Sequence, residues 1–159
     1  MKMKKVIVTG GAGFIGSHLV ERLFKDGVDV IVIDDLSSGK LENIPDGVEY
    51  TFVHCDLASD EFLRTAHLYF EEVDVIFHLA AKARVQPSID DPVTFHDSNV
   101  TGTHNLLVAA KTFNVTRVVF SSSSSVYGNA AVPTAESHDL NPMSPYALHK
   151  LIGERKSVV

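Results

Sequence analysis

With 159 residues, 45% of them hydrophobic and 21% charged, the chain has the composition and size of one soluble globular domain, and a second full domain has no room in it. The net charge of −6 arises from 20 acidic and 14 basic residues, and without a basic tract this excludes a nucleic-acid-binding surface. No apolar run reaches the length of a membrane span; the single cysteine, Cys55, excludes an intrachain disulfide and points to a reducing cytoplasm. The opening Met1 to Lys5 followed by Val6-Ile7-Val8 does not continue as a signal peptide, because Thr9 and three glycines cut the apolar run.

Lys5 to Thr9 is predicted as a buried first strand ending in a glycine turn, after which Phe14, Ile15, Leu19, Val20 and Leu23 recur at helical spacing until Asp26-Gly27. Val28 to Ile33 is a β-branched run suited to burial on both faces of a parallel sheet, and it ends at Asp34-Asp35. A Ser-, Gly- and Pro-containing loop from Leu36 to Gly47 leads to a third strand over 48–53 and then to Asp56-Leu57. Ser59-Asp60-Glu61 starts a helix whose apolar face runs to Phe70. Val73 to Leu79 is a fourth strand, and a long helix is expected over about 92 to 113, opened by Asp91-Pro92. Val118-Val119-Phe120 is a fifth strand that runs into five serines, Ser121 to Ser125. Tyr127 to Ser144 is loop-like, and Pro145 opens a last helix. The alternation gives an α/β fold, a Rossmann-like doubly wound parallel sheet in which ligands bind at the carboxyl ends of the strands.

Gly10-x-x-Gly13-x-x-Gly16 lies between a strand and an amphipathic helix, the context in which a glycine-rich turn binds a dinucleotide. Gly10 permits the tight turn, Gly13 admits the pyrophosphate and Gly16 allows the helix to pack closely, while the helix amides and dipole face the phosphates. Asp34 stands at the distance where an acid grips the adenosine ribose hydroxyls, and a carboxylate there repels a 2′-phosphate, so NAD is expected rather than NADP. Asp35 is the alternative; Asp34 ends the alternating run. Tyr146 and Lys150 are spaced i, i+4 on one helix face. A lysine ammonium beside a phenol stabilises the phenolate, which makes Tyr146 a candidate general base. The eight histidines show no metal-ligand spacing; no metal site is expected.

Thr9 to Gly16, His78-Leu79-Ala80-Ala81, Asn99 to Thr103, Ser121 to Gly128 and Ser144 to Lys150 together resemble the extended short-chain dehydrogenase/reductases. Within that family the chain is most similar to the nucleotide-sugar 4-epimerases of the UDP-glucose 4-epimerase type, from Lys5 to about Glu154. The resemblance implies a catalytic trio of Ser123, Tyr146 and Lys150, with Ser124 the alternative to Ser123 in the serine run. It also implies that Phe14 and Ile15 join the pyrophosphate turn and that Asp34, Asp56, Leu57, Ala80, Ala81, Asn99, Tyr146 and Lys150 border NAD. The implied reaction removes the proton of the sugar 4-hydroxyl through Tyr146 while hydride moves reversibly to the nicotinamide, giving a 4-keto intermediate that turns over before reduction. Related 4,6-dehydratases resemble a Thr-Asp-Glu sequence where this chain has Ser123-Ser124-Ser125, so dehydration is not expected.

Such enzymes continue into a smaller C-terminal domain that holds the nucleotide sugar. Residues 1–159 are therefore expected to be an incomplete NAD-binding domain without its substrate-binding part, with a UDP-sugar as substrate of the complete enzyme. The other reading is a catalytically silent NAD-binding module or a truncated partner subunit. The resemblance further implies homodimerisation through helices at about 92 to 113 and 145 to 158.

Overall fold

The computed structural model describes residues 3–156. Five strands form one all-parallel sheet: β1 (Lys5–Thr9), β2 (Asp29–Asp34), β3 (Thr51–His54), β4 (Val75–His78) and β5 (Arg117–Phe120), in the order β3-β2-β1-β4-β5. The helices are α1 (Phe14–Lys25), α2 (Asp60–Thr65), α3 (Val85–Asp90), α4 (Pro92–His96), α5 (Gly102–Thr112) and α6 (Pro145–Lys156). The expected last helix is thus present; its expected final residues, 157 and 158, lie outside the described ones.

Period-two alternation sorts the strand residues into two cores. Val6, Val8, Val30, Val32 and Val75 point to the side covered by Val20 and Leu23 of α1. Ile7, Ile31, Ile33 and Ile76 point the other way, onto Phe62 of α2, Phe70, and Leu106 and Ala109 of α5. The central strands are apolar on both faces because helices cover both, as a parallel sheet requires. At about 25 cal/mol per Å², each large side chain so buried contributes roughly 1.5–3 kcal/mol. The strand order reverses between β1 and β4, and a crevice opens there at the carboxyl ends.

Several boundaries differ from expectation. The third strand is Thr51–His54 rather than 48–53; Val48 instead closes a turn onto the Pro45 carbonyl, although Val48 and Tyr50 still pack against the valine core. The fourth strand is shorter than Val73 to Leu79, and α2 ends at Thr65 in a 3-10 turn over Ala66–Leu68. The expected helix from 92 to 113 starts as foreseen, with the Asp91 carboxylate accepting from Thr94 N and Pro92 in the first turn. It is interrupted by a π-turn at Asp97–Thr101 before α5 continues. A further helix, α3, precedes it, and Pro87 is tolerated there because it lies in the first turn, where no amide needs a helical partner. β5 lies at a sheet edge, with Val119 45% exposed.

Candidate active site

A cleft of about 300 Å³ lies over the carboxyl ends of β1, β2 and β4. The glycine turn forms its floor. Gly10 has φ +71°, and a Cβ there would stand 2.7 Å from Ala80 N, so only glycine makes this turn beneath β4. A Cβ on Gly16 would run into the Gly10 carbonyl, which holds α1 hard against the turn. Gly13 is different: its Cβ would meet only the Gly10 carbonyl, at 3.2 Å, so its outer side is open. Gly13 is also the N-cap of α1, makes no side-chain cap bond, and is followed by no acid in the first turn. The amides and positive dipole of a twelve-residue helix therefore face the cleft uncovered by a protein carboxylate.

Asp34 ends β2 with 7% exposure. Its Oδ2 accepts from Ala12 N and its Oδ1 from Leu36 N, both at 2.9 Å, which ties the acid to the glycine turn. A carboxylate has about four acceptor directions, so two remain for a ligand. Asp35 is more exposed and its Oδ1 is taken up by Ser37 N and the Ser37 hydroxyl. Both acids line the cleft. The Ala12 carbonyl is gripped from the other side by Lys40 N at 3.0 Å and Asn43 Nδ2 at 2.7 Å.

The expected cofactor residues divide into two groups. Gly10, Gly13, Phe14, Ile15 and Gly16 line the cleft with Asp34; Asp56 and Leu57 line it from the end of β3, and Ala80 and Ala81 from the end of β4. Asn99, Tyr146 and Lys150 do not line it, and neither does Ser123. Asn99 is buried in the π-turn, and its side chain bonds both the amide and the carbonyl of Lys82, which is a lining residue. Sequence reasoning missed Ser37, Ser38 and Gly39, which close the cleft beside Asp34, as well as Cys55, Ser98 and Ser121. The Ser-Ser-Gly triplet after the acid was their visible signal, since Gly39 packs directly on the Ala12 backbone.

The trio sits beside this cleft around the end of β5. Lys150, 5% exposed, donates from Nζ to the Ser121 carbonyl at 2.8 Å. Its ammonium lies 4.9 Å from the Phe120 ring centroid and 6.0 Å from that of Tyr146. Burial lowers the Lys150 ammonium to about 8. Tyr146 is fixed at the start of α6 by its amide, which donates to Ser88 Oγ of α3 at 3.1 Å. Ser123 caps a 3-10 turn over Ser124–Tyr127: its Oγ accepts from Ser125 N and donates to Ser125 Oγ at 3.1 Å. Ser123 is half-buried, whereas Ser122 and Ser124 are exposed; Ser122 Oγ donates to the Glu154 carboxylate.

Among the described residues no group of three or more His, Cys, Asp or Glu side chains could hold a metal ion, and no helix is long and apolar enough to cross a membrane.

The family model described as NAD dependent epimerase/dehydratase family matches residues 6–157. The UDP-glucose 4-epimerase of Mycolicibacterium smegmatis is 45% identical over 155 residues, covering 94% of this chain and 49% of that protein. The enzyme of the same description from Lactobacillus helveticus is 40% identical over 152 residues, covering 95% and 45%. Among solved structures, the UDP-glucose 4-epimerase of Thermus thermophilus in complex with NAD superposes with a TM-score of 0.86 at 39% identity, covering 96% of this chain and 49% of that one. The UDP-N-acetylglucosamine 4-epimerase of Methanobrevibacter ruminantium, in complex with UDP-N-acetylmuramic acid, gives 0.88 at 42%, covering 98% and 50%. The chain spans about half the length of the relatives it matches.

Proposed function

Because the chain belongs to the NAD dependent epimerase/dehydratase family, we propose that it is the NAD-binding portion of a nucleotide-sugar 4-epimerase acting on a UDP-sugar. Residues 1–159 form the cofactor domain in this reading, and the substrate-binding domain comes from sequence outside them. The observation that carries it is the junction of two devices. The uncapped α1 terminus beside Asp34 suits a dinucleotide, and Lys150 is fixed on Ser121, which lines that same cleft, with Tyr146 alongside.

The residues fit NAD. Gly13, Phe14 and Ile15 would hold the pyrophosphate on the α1 amides, Asp34 the adenosine ribose, and Asp56 and Leu57 the adenine side, with Ala80, Ala81 and Asn99 bordering the far half. When bound, NAD supplies a reversible hydride acceptor. Tyr146 as phenolate takes the proton of the sugar 4-hydroxyl, and Ser123 hydrogen-bonds the same oxygen. Ser123 must then turn its hydroxyl proton from Ser125 Oγ to the sugar, while its oxygen still accepts from Ser125 N. The Lys150 ammonium, 6.0 Å from the Tyr146 ring centroid, stabilises the Tyr146 phenolate. The exposed Ile89, Val93 and Leu148, on α3, α4 and α6, suit a second copy of the chain packing against these helices.

Calorimetric titration of the purified chain with NAD tests the cofactor site, and UDP-galactose turnover with and without an added substrate domain tests the chemistry. NAD binding with turnover only in the presence of the added domain is expected. Binding with no turnover in either case would favour the silent module; no binding would remove both.

A further inference from the structure

His78 takes no part in the chemistry above, yet at the end of β4 it is 1% exposed and both its ring nitrogens are engaged. Nδ1 lies 2.7 Å from Thr9 Oγ1, and Nε2 lies 2.8 Å from Thr103 Oγ1. Proton counting gives the direction. Thr103 donates its one hydroxyl proton to the Asn99 carbonyl at 2.7 Å, so toward His78 it can only accept, from Nε2–H. A neutral ring protonated on Nε2 has a bare Nδ1, which accepts from the Thr9 hydroxyl. Thr9 Oγ1 in turn accepts from Ala80 N at 3.3 Å.

The far end of the chain returns to the same wall. The Asn99 side chain accepts from Lys82 N at 2.8 Å and donates to the Lys82 carbonyl at 2.9 Å. Ala80, Ala81 and Lys82 form the β4 side of the cleft. Both ends of that wall are therefore held by residues that His78 joins.

We propose that His78 is a positioning residue for the cofactor cleft: its single tautomer, protonated on Nε2, orders a one-way hydrogen-bond chain from Ala80 through Thr9, His78 and Thr103 to Asn99, fixing the wall Ala80–Lys82 at both ends. The inference rests on the reading of the cleft as an NAD site. The opposite tautomer would claim the Thr103 proton for Nε2 and strip the buried Asn99 carbonyl of that donor, a costly loss away from water. Burial, with a smaller contribution from the Lys150 ammonium, holds the imidazolium form down to about 3, so the ring stays neutral through the working range.

Nitrogen-15 NMR of histidine-labelled protein tests the tautomer, and amide hydrogen exchange with NAD calorimetry tests the wall. The unaltered chain is expected to show His78 protonated on Nε2 alone between pH 5 and 7. Thr103→Val, close to isosteric, is expected to lose the fixed tautomer, to speed exchange at the Ala80 and Lys82 amides about tenfold, and to weaken NAD about tenfold, the effect of one buried hydrogen bond. Thr103→Ser is expected to restore all three. His78 protonated on Nδ1 would overturn the proposal, as would a Thr103→Val protein of lowered Tm with unchanged amide exchange and NAD affinity. Failure of the unaltered chain to bind NAD, with tautomer and exchange as expected, would support the positioning role and count against the cofactor reading alone.

Discussion

Lys150 donates its ammonium proton to the main-chain carbonyl of Ser121, 2.8 Å away, and so links the helix bearing Tyr146 to a lining residue of the cleft. The bond uses one of the three N–H groups of the ammonium.

Lys150 supplies the first prediction. With its ammonium lowered to about 8 by burial, the charge proposed to support the Tyr146 phenolate disappears as pH rises through 8. Activity of the complete enzyme is expected to fall on that alkaline limb. Lys150→Met is expected to cost about 100-fold or more in turnover, the scale of losing one acid–base partner, and to abolish the limb. Unfolding should show the linked effect: between about 8 and the unfolded value of 10.5 the unfolded chain binds more protons, so stability gains from this group as pH rises. A pH series of urea melts on both proteins checks the sign.

The glycines of the turn separate folding from binding. Gly13→Val meets only the Gly10 carbonyl at 3.2 Å, so the variant is expected to fold with a Tm near that of the parent while losing NAD binding. Gly16→Val drives its Cβ into the backbone of Gly10 and Gly11 and is expected to lose more than about 3 kcal/mol, beyond ordinary overpacking. Circular dichroism melts with calorimetry distinguish the two; equal destabilisation of both would refute the open side assigned to Gly13.

Asp34→Asn is expected to cost about 1–3 kcal/mol, because an amide NH₂ would face either Ala12 N or Leu36 N where a carboxylate oxygen now accepts. It is also expected to weaken NAD and narrow the preference over NADP. Asp35→Asn, at a more exposed position with only local Ser37 contacts, is expected to change stability by less than about 0.5 kcal/mol. An Asp35 variant with the larger loss of NAD affinity would transfer the ribose role to that acid.

His78 makes the fold sensitive to acid. The native ring stays neutral to about 3, whereas the unfolded ring takes its proton near 6.5. Below 6.5 the unfolded state binds more protons, so stability is expected to decline steadily as pH falls from 6.5 toward 3. Urea melts from about pH 7 to 4.5, above most carboxylate titration, should show this slope, and His78→Gln should flatten it.

The residue pattern announced the central sheet because Val30 to Ile33 and Val6 to Val8 are β-branched and apolar at consecutive positions, as a parallel sheet covered on both sides requires. The glycine turn was equally legible, since its spacing reflects contacts between backbone atoms. The π-turn was not: Asp97–Thr101 is mostly polar with Val100 its one apolar residue, and an added residue in one turn leaves no mark in composition. Helix α3 was not foreseen: it has only six residues, with Pro87 in its first turn. The wall formed by Ser37 to Gly39 was partly legible as a loop, but its packing on Ala12 is a long-range contact. His149 falls between these cases: it is buried with Nδ1 lacking a hydrogen-bond partner among the described residues and stands edge-on to His96 at 5.5 Å, an arrangement that spacing alone could not show.

The placement of β1 also governs how the chain can fold. Val6 pairs with Val30 on one side and with Val75 on the other, so the earliest of the five strands to be synthesised waits for the fourth before both its edges are covered. Until β4 has been made, β1 carries an open edge of apolar residues, and closing it requires contacts between distant parts of the chain. Folding is consequently governed by topology, with the slow, nonlocal closure typical of parallel sheets and a nascent chain that presents an aggregation-prone strand.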